Sequence, residues 1–411
     1  MSEQEQNDQQ IADALRAAPP IILAPGPREA PTQLPPPPDD VWSLPGGAAW
    51  VYYGEGNDSL VRPVIMADGF NTGPSTPEFS WNALQFSGYP LIGELRKRGR
   101  DVVLLGFTER SASILNNANT AIAAIQEAIA RRLGGHPLTV GGFSMGGLVA
   151  RYALAKLESQ RLDHQTALYF SYDSPHRGAW IPIALQAFAH YIRRLDSRFS
   201  DQMNSPASRQ LLWRHVAEWQ DAPATAKERT EFLAALEGVG GWPRIPRLIG
   251  VANGVGSGKG NGVKPGKTAM RGTGLAVTGT DLRAQSTGTD SLVATLRVVT
   301  LQRPDIHATG MPDIDGAPGG TLEGFGILAD ELNKLTHLGM AVDNPIRSHC
   351  FVPAVSAVAI RDIATHDDLY VDINRLSPDD SELDDFKLAS KNEGHTTITE
   401  ELSSWIIDRL P

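Results

Sequence analysis

A short apolar segment at residues 138–143 leads into a Gly-x-Ser-x-Gly motif with Ser144 at its centre. A serine hydroxyl becomes a useful nucleophile when a sharp strand-to-helix turn holds it exposed beside a base. Such a turn strains the serine backbone and requires small residues on both sides, which Gly142 and Gly146 provide. The alternative is a glycine-rich turn that merely contains a serine. The apolar run before the motif and the helical pattern at 148–154 favour a nucleophile.

The composition bounds the class of protein. With 411 residues, 41% hydrophobic and 20% charged, the chain has the composition of a soluble globular protein with a substantial core. Its formal charge of −10 argues against nucleic acid, anionic membranes and polyanionic substrates as partners. The amino terminus lacks a secretory signal, and no apolar run approaches the roughly 20 residues of a membrane span. We therefore expect a cytoplasmic protein without a transmembrane segment, with export by a non-classical route as the alternative.

Residues 1–40 are polar and then rich in proline, a composition that cannot bury a core. We expect a disordered or extended arm, with a packed short helix at 10–18 as the weaker alternative. Residues 41–411 are expected to form one domain in which strands alternate with helices. This alternation predicts an α/β fold with a mostly parallel central sheet and helices on both faces. The expected strands are Ala49–Tyr53, Val61–Ala67, Val102–Phe107, Leu138–Phe143, Ala167–Tyr172 and Arg247–Ala252, with helices near 82–98, 118–133 and 146–159.

Two insertions interrupt this pattern. Residues 178–243 show no strand pattern and carry four of the eight tryptophans, so we expect a helical cap over the nucleophile or, alternatively, helices packed on the body. Residues 253–274 are dense in glycine and predict a flexible loop. After them we expect a β-hairpin from 274–280 and 291–301 at the sheet edge. Further strands at 351–360 and 369–373 and a closing helix at 398–410 complete the prediction.

The order of these motifs resembles the α/β-hydrolase fold, in its lipase and esterase branch. The resemblance covers about residues 60–400 and depends on Asp68-Gly69-Phe70, on the Ser144 motif, and on the turn from Asp173 to Gly178. It implies a chain order of serine, acid and histidine, and an oxyanion hole made of backbone N–H groups. The family places a His-Gly pair where this chain has Asp68-Gly69, but the donor is a main-chain group. The resemblance therefore implies the N–H groups of Phe70 and Met145 as oxyanion donors.

The base implied by this order is a histidine late in the chain. His395 lies in a polar loop just after a glycine and shortly before the last helix, so we expect it to be the base, with His349 as the runner-up. The acid is less determined, because the segment 348–353 lacks a carboxylate at the usual family position. Some lipases instead place the acid after the sixth strand, which directly follows the helix after the nucleophile. This chain has Asp173 at the end of that strand. The alternatives are Asp305, Asp313 and Asp343.

The sequence predicts no cofactor and no metal. Asp313 and Asp315 resemble the start of a calcium loop, but the later ligand spacing fails, and no cysteine or histidine pair has zinc spacing. The single cysteine, Cys350, lies in an apolar run and is expected to be a core residue.

Together, the resemblance and the residues predict a serine ester hydrolase. Its substrate is expected to be a small molecule, lipid or polyester with an apolar acyl group. An acyltransferase and a phospholipase-type toxin would use the same residues. A non-catalytic binding module of this fold is the alternative from another class. Nothing in the sequence predicts the oligomeric state.

Overall fold

A computed structural model describes residues 3–26, 31, 33–299 and 301–411. The strands, numbered along the chain, are β1 (Asp40–Leu44), β2 (Gly47–Tyr52), β3 (Pro63–Ala67), β4 (Asp101–Phe107), β5 (Leu138–Phe143), β6 (Thr166–Tyr172), β7 (Arg247–Ala252), β8 (Thr268–Gly272), β9 (Asp281–Arg283), β10 (Ser291–Thr295), β11 (Asp305–Ala308), β12 (Gly319–Leu322), β13 (Val342–Asp343), β14 (His349–Pro353) and β15 (Asp385–Leu388). The helices are α1 (Glu3–Ala17), α2 (Pro77–Gln85), α3 (Leu91–Lys97), α4 (Ile114–Arg131), α5 (Met145–Ser159), α6 (Ile183–Tyr191), α7 (Arg198–Met203), α8 (Pro206–Leu211), α9 (Lys227–Gly238), α10 (Gly324–Asn333), α11 (Ala354–Ala357), α12 (His366–Leu369) and α13 (Glu400–Ile407).

The central sheet has the strand order β1-β2-β4-β3-β5-β6-β7-β15. The β1–β2 and β2–β4 pairs are antiparallel and all later pairs are parallel. All residues of β3, β4 and β5 are buried, as expected for parallel strands covered on both faces. This sheet with its flanking helices is the α/β-hydrolase fold, which confirms the predicted fold class.

Alternation along the strands divides the core between the two faces of the sheet. In β3, Ile65 packs with α4 and α5, whereas Val64 and Met66 pack with α2, α3 and α13. Side chains of successive strand residues point to opposite faces, so a fully apolar strand supplies both halves of the core. The sheet is therefore a rigid support for the loops at its carboxyl edge.

Outside this sheet, the structure corrects several expectations. The 274–301 region is not a hairpin on the main sheet: β8 to β11 and β13 form a separate antiparallel sheet of order β11-β10-β9-β8-β13. The strand expected at 351–360 is shorter; it is β14, which pairs with β12 and is followed by α11. Residues 369–373 form no strand. The last strand of the main sheet is β15, which the sequence analysis did not predict.

The amino-terminal region differs from the expected arm. Residues Glu3–Ala17 form a helix whose Ile11, Ala12 and Leu15 are buried, in agreement with the weaker alternative of a packed helix. Residues 27–30 and 32, which belong to the proline-rich part, lie outside the described residues. The expected helical insertion at 178–243 contains α6 to α9 and no named strand among its residues, all of which are described.

Candidate active site

The turn after β5 has the strained geometry that its sequence predicts. Ser144 has φ +52° and ψ −123°, and its N–H donates to the carbonyl of Tyr172 (2.9 Å). A Cβ at Gly142 would lie 2.4 Å from the carbonyl carbon of Gly146, and a Cβ at Gly146 would lie 2.2 Å from the carbonyl oxygen of Ala67. Only glycine fits at these two positions, so the strand and α5 approach closely and hold the serine at the carboxyl end of the sheet.

His395 lies in the loop between β15 and α13, beside this serine. Its Nε2 is 2.7 Å from the Oγ of Ser144. The backbone N–H of His395 donates to the carbonyl of Thr321 (2.7 Å). The ring of Phe351 packs edge-on against the imidazole, with 4.8 Å between the two ring centroids. The backbone and the ring of His395 are therefore both held in place.

Asp173 completes a hydrogen-bonded row of three side chains. It directly follows β6, with φ +51°, and its Oδ2 is 2.7 Å from the Nδ1 of His395. Its Oδ1 accepts the backbone N–H of Asn253 (3.0 Å). A carboxylate here accepts the Nδ1–H of the imidazole, which leaves Nε2 free to accept the proton of the serine. Ser144, His395 and Asp173 are 2%, 5% and 0% exposed.

The alternative residues lie elsewhere. His349 is fully buried, its Nδ1 bonds to the carbonyl of Cys350, and its Nε2 has no partner among the described residues. Asp313 pairs with His366 (2.6 Å). Asp305 and Asp343 belong to strands β11 and β13 of the separate sheet. The structure therefore brings together Ser144, His395 and Asp173, and none of the alternatives.

The loop after β3 adjoins the serine. The N–H of Gly69 donates to Oδ1 of Asp68 (2.8 Å), and a Cβ at Gly69 would lie 3.4 Å from the Cβ of Ser144. Oδ2 of Asp68 accepts the hydroxyl of Ser75 (2.6 Å), so this carboxylate ties down the loop. The N–H groups of Phe70 and Met145 donate to no acceptor among the described residues. Phe70 lines the same cavity as Ser144, and Met145 directly follows Ser144 in the chain.

A cavity of about 650 Å³, counting the open space at its mouth, lies next to Ser144. Most of its lining side chains are apolar and come from β3, β4, α2 and the loop after β3. Met66, Phe70 and Leu84 are among them, and Phe143 at the end of β5 also lines the cavity. No residue of 178–243 lines this cavity; Trp180 and Trp213 of that insertion instead pack against each other at 6.3 Å.

Three other ionisable side chains, those of Asp315, His349 and Cys350, are also buried, and their hydrogen bonds go to residues other than Ser144, His395 and Asp173. Burial raises the pKa of Asp315 to about 6, although its carboxylate accepts N–H groups of Trp180 and Gln285. Burial lowers the pKa of His349 to about 4 and raises the pKa of the Cys350 thiol well above its ordinary value. A thiol that stays protonated is a poor nucleophile, which agrees with the expected role of Cys350 as a core residue.

Two residues that contact Asp173 were not predicted from the sequence. Asn253 holds Asp173 through its backbone and donates its side-chain amide to the carbonyl of Thr397 (2.9 Å). Gly320 of β12 passes so close that a Cβ there would lie 1.9 Å from Oδ2 of Asp173. The Gly319-Gly320 pair was the available signal, since adjacent glycines often mark a close approach of the backbone.

Within the described ranges, no group of three or more His, Cys, Asp or Glu side chains could hold a metal ion. The helices of the same ranges include none that is both long and apolar enough to span a membrane.

No protein-family model and no curated protein matches the chain. Among solved structures, it is similar to the mature form of Bacillus licheniformis lipase BlEst2, with 12% identity and a TM-score of 0.32 over 49% of this chain and 71% of the lipase. It is also similar to carboxyl esterase 2 of the fungus Tuber melanosporum, with 14% identity and a TM-score of 0.34 over 60% and 77% of the two chains. A third is the thermophilic carboxylesterase EstE1 from a metagenomic library, with 13% identity and a TM-score of 0.33 over 60% and 76%. These structural neighbours are esterases and lipases.

Proposed function

We propose that the protein is a serine ester hydrolase that cleaves acyl esters through a covalent acyl-enzyme on Ser144. The observation that carries this proposal is the continuous row from Ser144 Oγ through His395 to Asp173, with 2.7 Å at each step. Both distances lie within hydrogen-bonding reach, and each bond orients the next group, as nucleophilic catalysis by a serine requires.

In the proposed reaction, Oγ of Ser144 attacks the acyl carbonyl while Nε2 of His395 takes the hydroxyl proton. Asp173 stabilises the imidazolium that forms. His395 then gives this proton to the oxygen of the leaving alcohol, and the ester bond breaks. A water molecule, deprotonated by His395, then attacks the carbonyl of the acyl-enzyme. His395 returns this proton to Oγ of Ser144 as the bond between Oγ and the acyl carbon breaks, which releases the acid and the free serine.

The negative oxygen of each tetrahedral intermediate needs hydrogen-bond donors. The N–H groups of Phe70 and Met145 are the proposed pair, because Phe70 lines the same cavity as Ser144, Met145 directly follows Ser144, and neither N–H has an acceptor among the described residues. Removing one such donor typically slows the reaction by about 10²–10³-fold. The cavity lined by Met66, Leu84 and Phe143 suits an apolar acyl group.

A fluorophosphonate probe tests the proposal directly, because it reacts covalently with an activated serine. We expect the wild-type protein to be labelled and to hydrolyse p-nitrophenyl esters, and Ser144→Ala to lose both activities. Ser174→Ala is the matched control, because Ser174 is equally buried and its hydroxyl has no partner among the described residues. Absence of labelling in the wild type would support the non-catalytic binding module instead, and labelling that survives Ser144→Ala would place the nucleophile elsewhere.

A further inference from the structure

The cavity beside Ser144 is lined in part by the amino-terminal region, far from the rest of the site in sequence. Pro25 and Gly26 contribute to its wall, together with residues of α2 and of the loop after β3. We call residues 19–26 the strap. The strap does not fill the cavity, since open space remains beside Ser144 with the strap in place.

The strap is held firmly on its amino-terminal side. Ile21 and Leu23 are 6% and 1% exposed and belong to the main hydrophobic core. The N–H of Leu23 donates to the Oε1 of Gln202 in α7 (3.1 Å). Arg198 of the same helix donates to the carbonyls of Leu15 and Ala18 at the end of α1 (2.6 and 3.0 Å). A guanidinium at these carbonyls fixes the helix end from which the strap departs.

On its other side, the chain reaches α2, where the side-chain amide of Asn82 donates to the carbonyl of Gln33 (2.7 Å). Ser80, Ala83 and Leu84 of the same helix line the cavity. Along the chain, the amino-terminal region is thus attached to α7 before the two residues that line the cavity and to α2 after them. The helical insertion reaches the cavity only indirectly, because α7 holds the strap and the strap forms the wall.

The chemistry of the strap suits a wall for an apolar chain. Pro25 has no N–H and carries a rigid apolar ring. Gly26 has φ +108°, a conformation that favours glycine, and carries no side chain. We propose that the strap forms one wall of the acyl pocket and limits the length of the acyl chain that the pocket accepts. This inference rests on the proposed function and names the specificity of the same site.

The test replaces one side chain of the cavity wall with a larger one. Pro25→Phe places a larger ring at the cavity, and Pro20→Phe makes the same change at an exposed position of the strap that does not line it. We expect Pro25→Phe to lower kcat/KM for p-nitrophenyl decanoate about 10-fold or more relative to p-nitrophenyl acetate, since one methylene in an apolar pocket is worth about 10-fold or more. Pro20→Phe should leave this ratio unchanged. An unchanged ratio in Pro25→Phe, or an equal shift in Pro20→Phe, would overturn the proposal.

A binding measurement separates this proposal from the proposed function. Titration of decanoate into Ser144→Ala, with and without Pro25→Phe, measures occupation of the pocket without catalysis. Weaker decanoate binding in the double variant supports the wall even if the wild type hydrolyses no ester, an outcome that would remove the proposed function alone. Equal binding in both proteins, or no binding in either, overturns the wall whatever the esterase assay shows.

Discussion

Asp173 is the residue whose environment best explains the proposed mechanism. Its carboxylate has no solvent exposure, and a buried charge is tolerated only when neighbouring groups stabilise it. Nδ1 of His395 and the backbone N–H of Asn253 supply one hydrogen bond to each oxygen. Since both oxygens are engaged, the carboxylate has one orientation, and that orientation determines which tautomer of His395 faces Ser144.

Exchanging the charge of Asp173 for an amide should therefore disable the proposed base without removing it. In Asp173→Asn, the side chain can present an N–H to Nδ1 of His395, which favours the tautomer that carries its proton on Nε2. That nitrogen then cannot accept the proton of Ser144. We expect kcat for a p-nitrophenyl ester to fall by about 10⁴-fold, the loss typical of a triad in the wrong tautomer.

Asp315→Asn is the matched control for this variant. Asp315 is also fully buried, but its carboxylate contacts Trp180 and Gln285 and makes no hydrogen bond to His395. This variant should unfold at a lower temperature than the wild type and retain its kcat. Full activity of Asp173→Asn would exclude Asp173 from the mechanism, and an equal loss in both variants would indicate general damage to the fold.

At the scale of elements, β12 sets the space available to the acid and the base. Gly320 lies against Asp173, and the N–H of Thr321 in the same strand donates to the carbonyl of Glu393, close to His395 (2.9 Å). The β12–β14 pair thus holds the loop of His395 against the end of β6. This two-stranded sheet is separate from the central sheet, yet it determines how closely the proposed acid and base can approach each other.

A methyl group on Gly320 should disturb this approach. Its Cβ would lie 1.9 Å from Oδ2 of Asp173 and 3.2 Å from Cα of His395, so the carboxylate has to shift. A misplacement of about 1 Å at a catalytic site typically costs about 10²-fold in rate, and we expect a loss of that order in kcat for Gly320→Ala. Gly135→Ala, at a glycine with open space around it, is the control and should keep the wild-type rate. Unchanged kcat in Gly320→Ala would show that the geometry of the acid is not critical.

The same scale shows what the sequence could and could not predict. Strands β2 to β7 were predicted within a few residues because their segments are mostly apolar, and those of β3, β4 and β5 are buried on both faces. Ser144 was visible because its turn requires glycines. Strand β15 was missed because it has only four residues, Asp-Phe-Lys-Leu, and its short alternation of polar and partly buried apolar residues is not a continuous apolar run. The position of Asp173 beside His395 depends on a separation of 222 residues, which local patterns do not encode. The packing of α1 was only the weaker of two expectations for residues 1–40, because the apolar residues of this helix are few.

At the scale of the whole molecule, several buried histidines make the fold sensitive to acid. Burial lowers the pKa of His215 to about 4 and of His349 to about 4, and it lowers the pKa of His176 well below its ordinary value. In the unfolded chain these groups titrate near 6.5. Between about pH 6.5 and 4 the unfolded state therefore binds more protons than the folded state. The stability that depends on the neutral rings is complete above pH 6.5 and is lost as the pH falls.

Replacing one of these buried histidines with a residue that does not titrate should remove the part of the stability loss at low pH that this histidine causes. Nε2 of His215 bonds to the carbonyl of Met203 (3.1 Å), and the amide in His215→Gln offers a donor for the same carbonyl without titrating. Between about pH 7 and pH 5, we expect the free energy of unfolding to fall by about 2 kcal/mol less in His215→Gln than in the wild type, given the lowered pKa. Urea titrations followed by tryptophan fluorescence measure this difference. His136→Gln, at an exposed histidine, should show the wild-type pH dependence, and an identical dependence in His215→Gln would mean that His215 does not contribute to acid sensitivity.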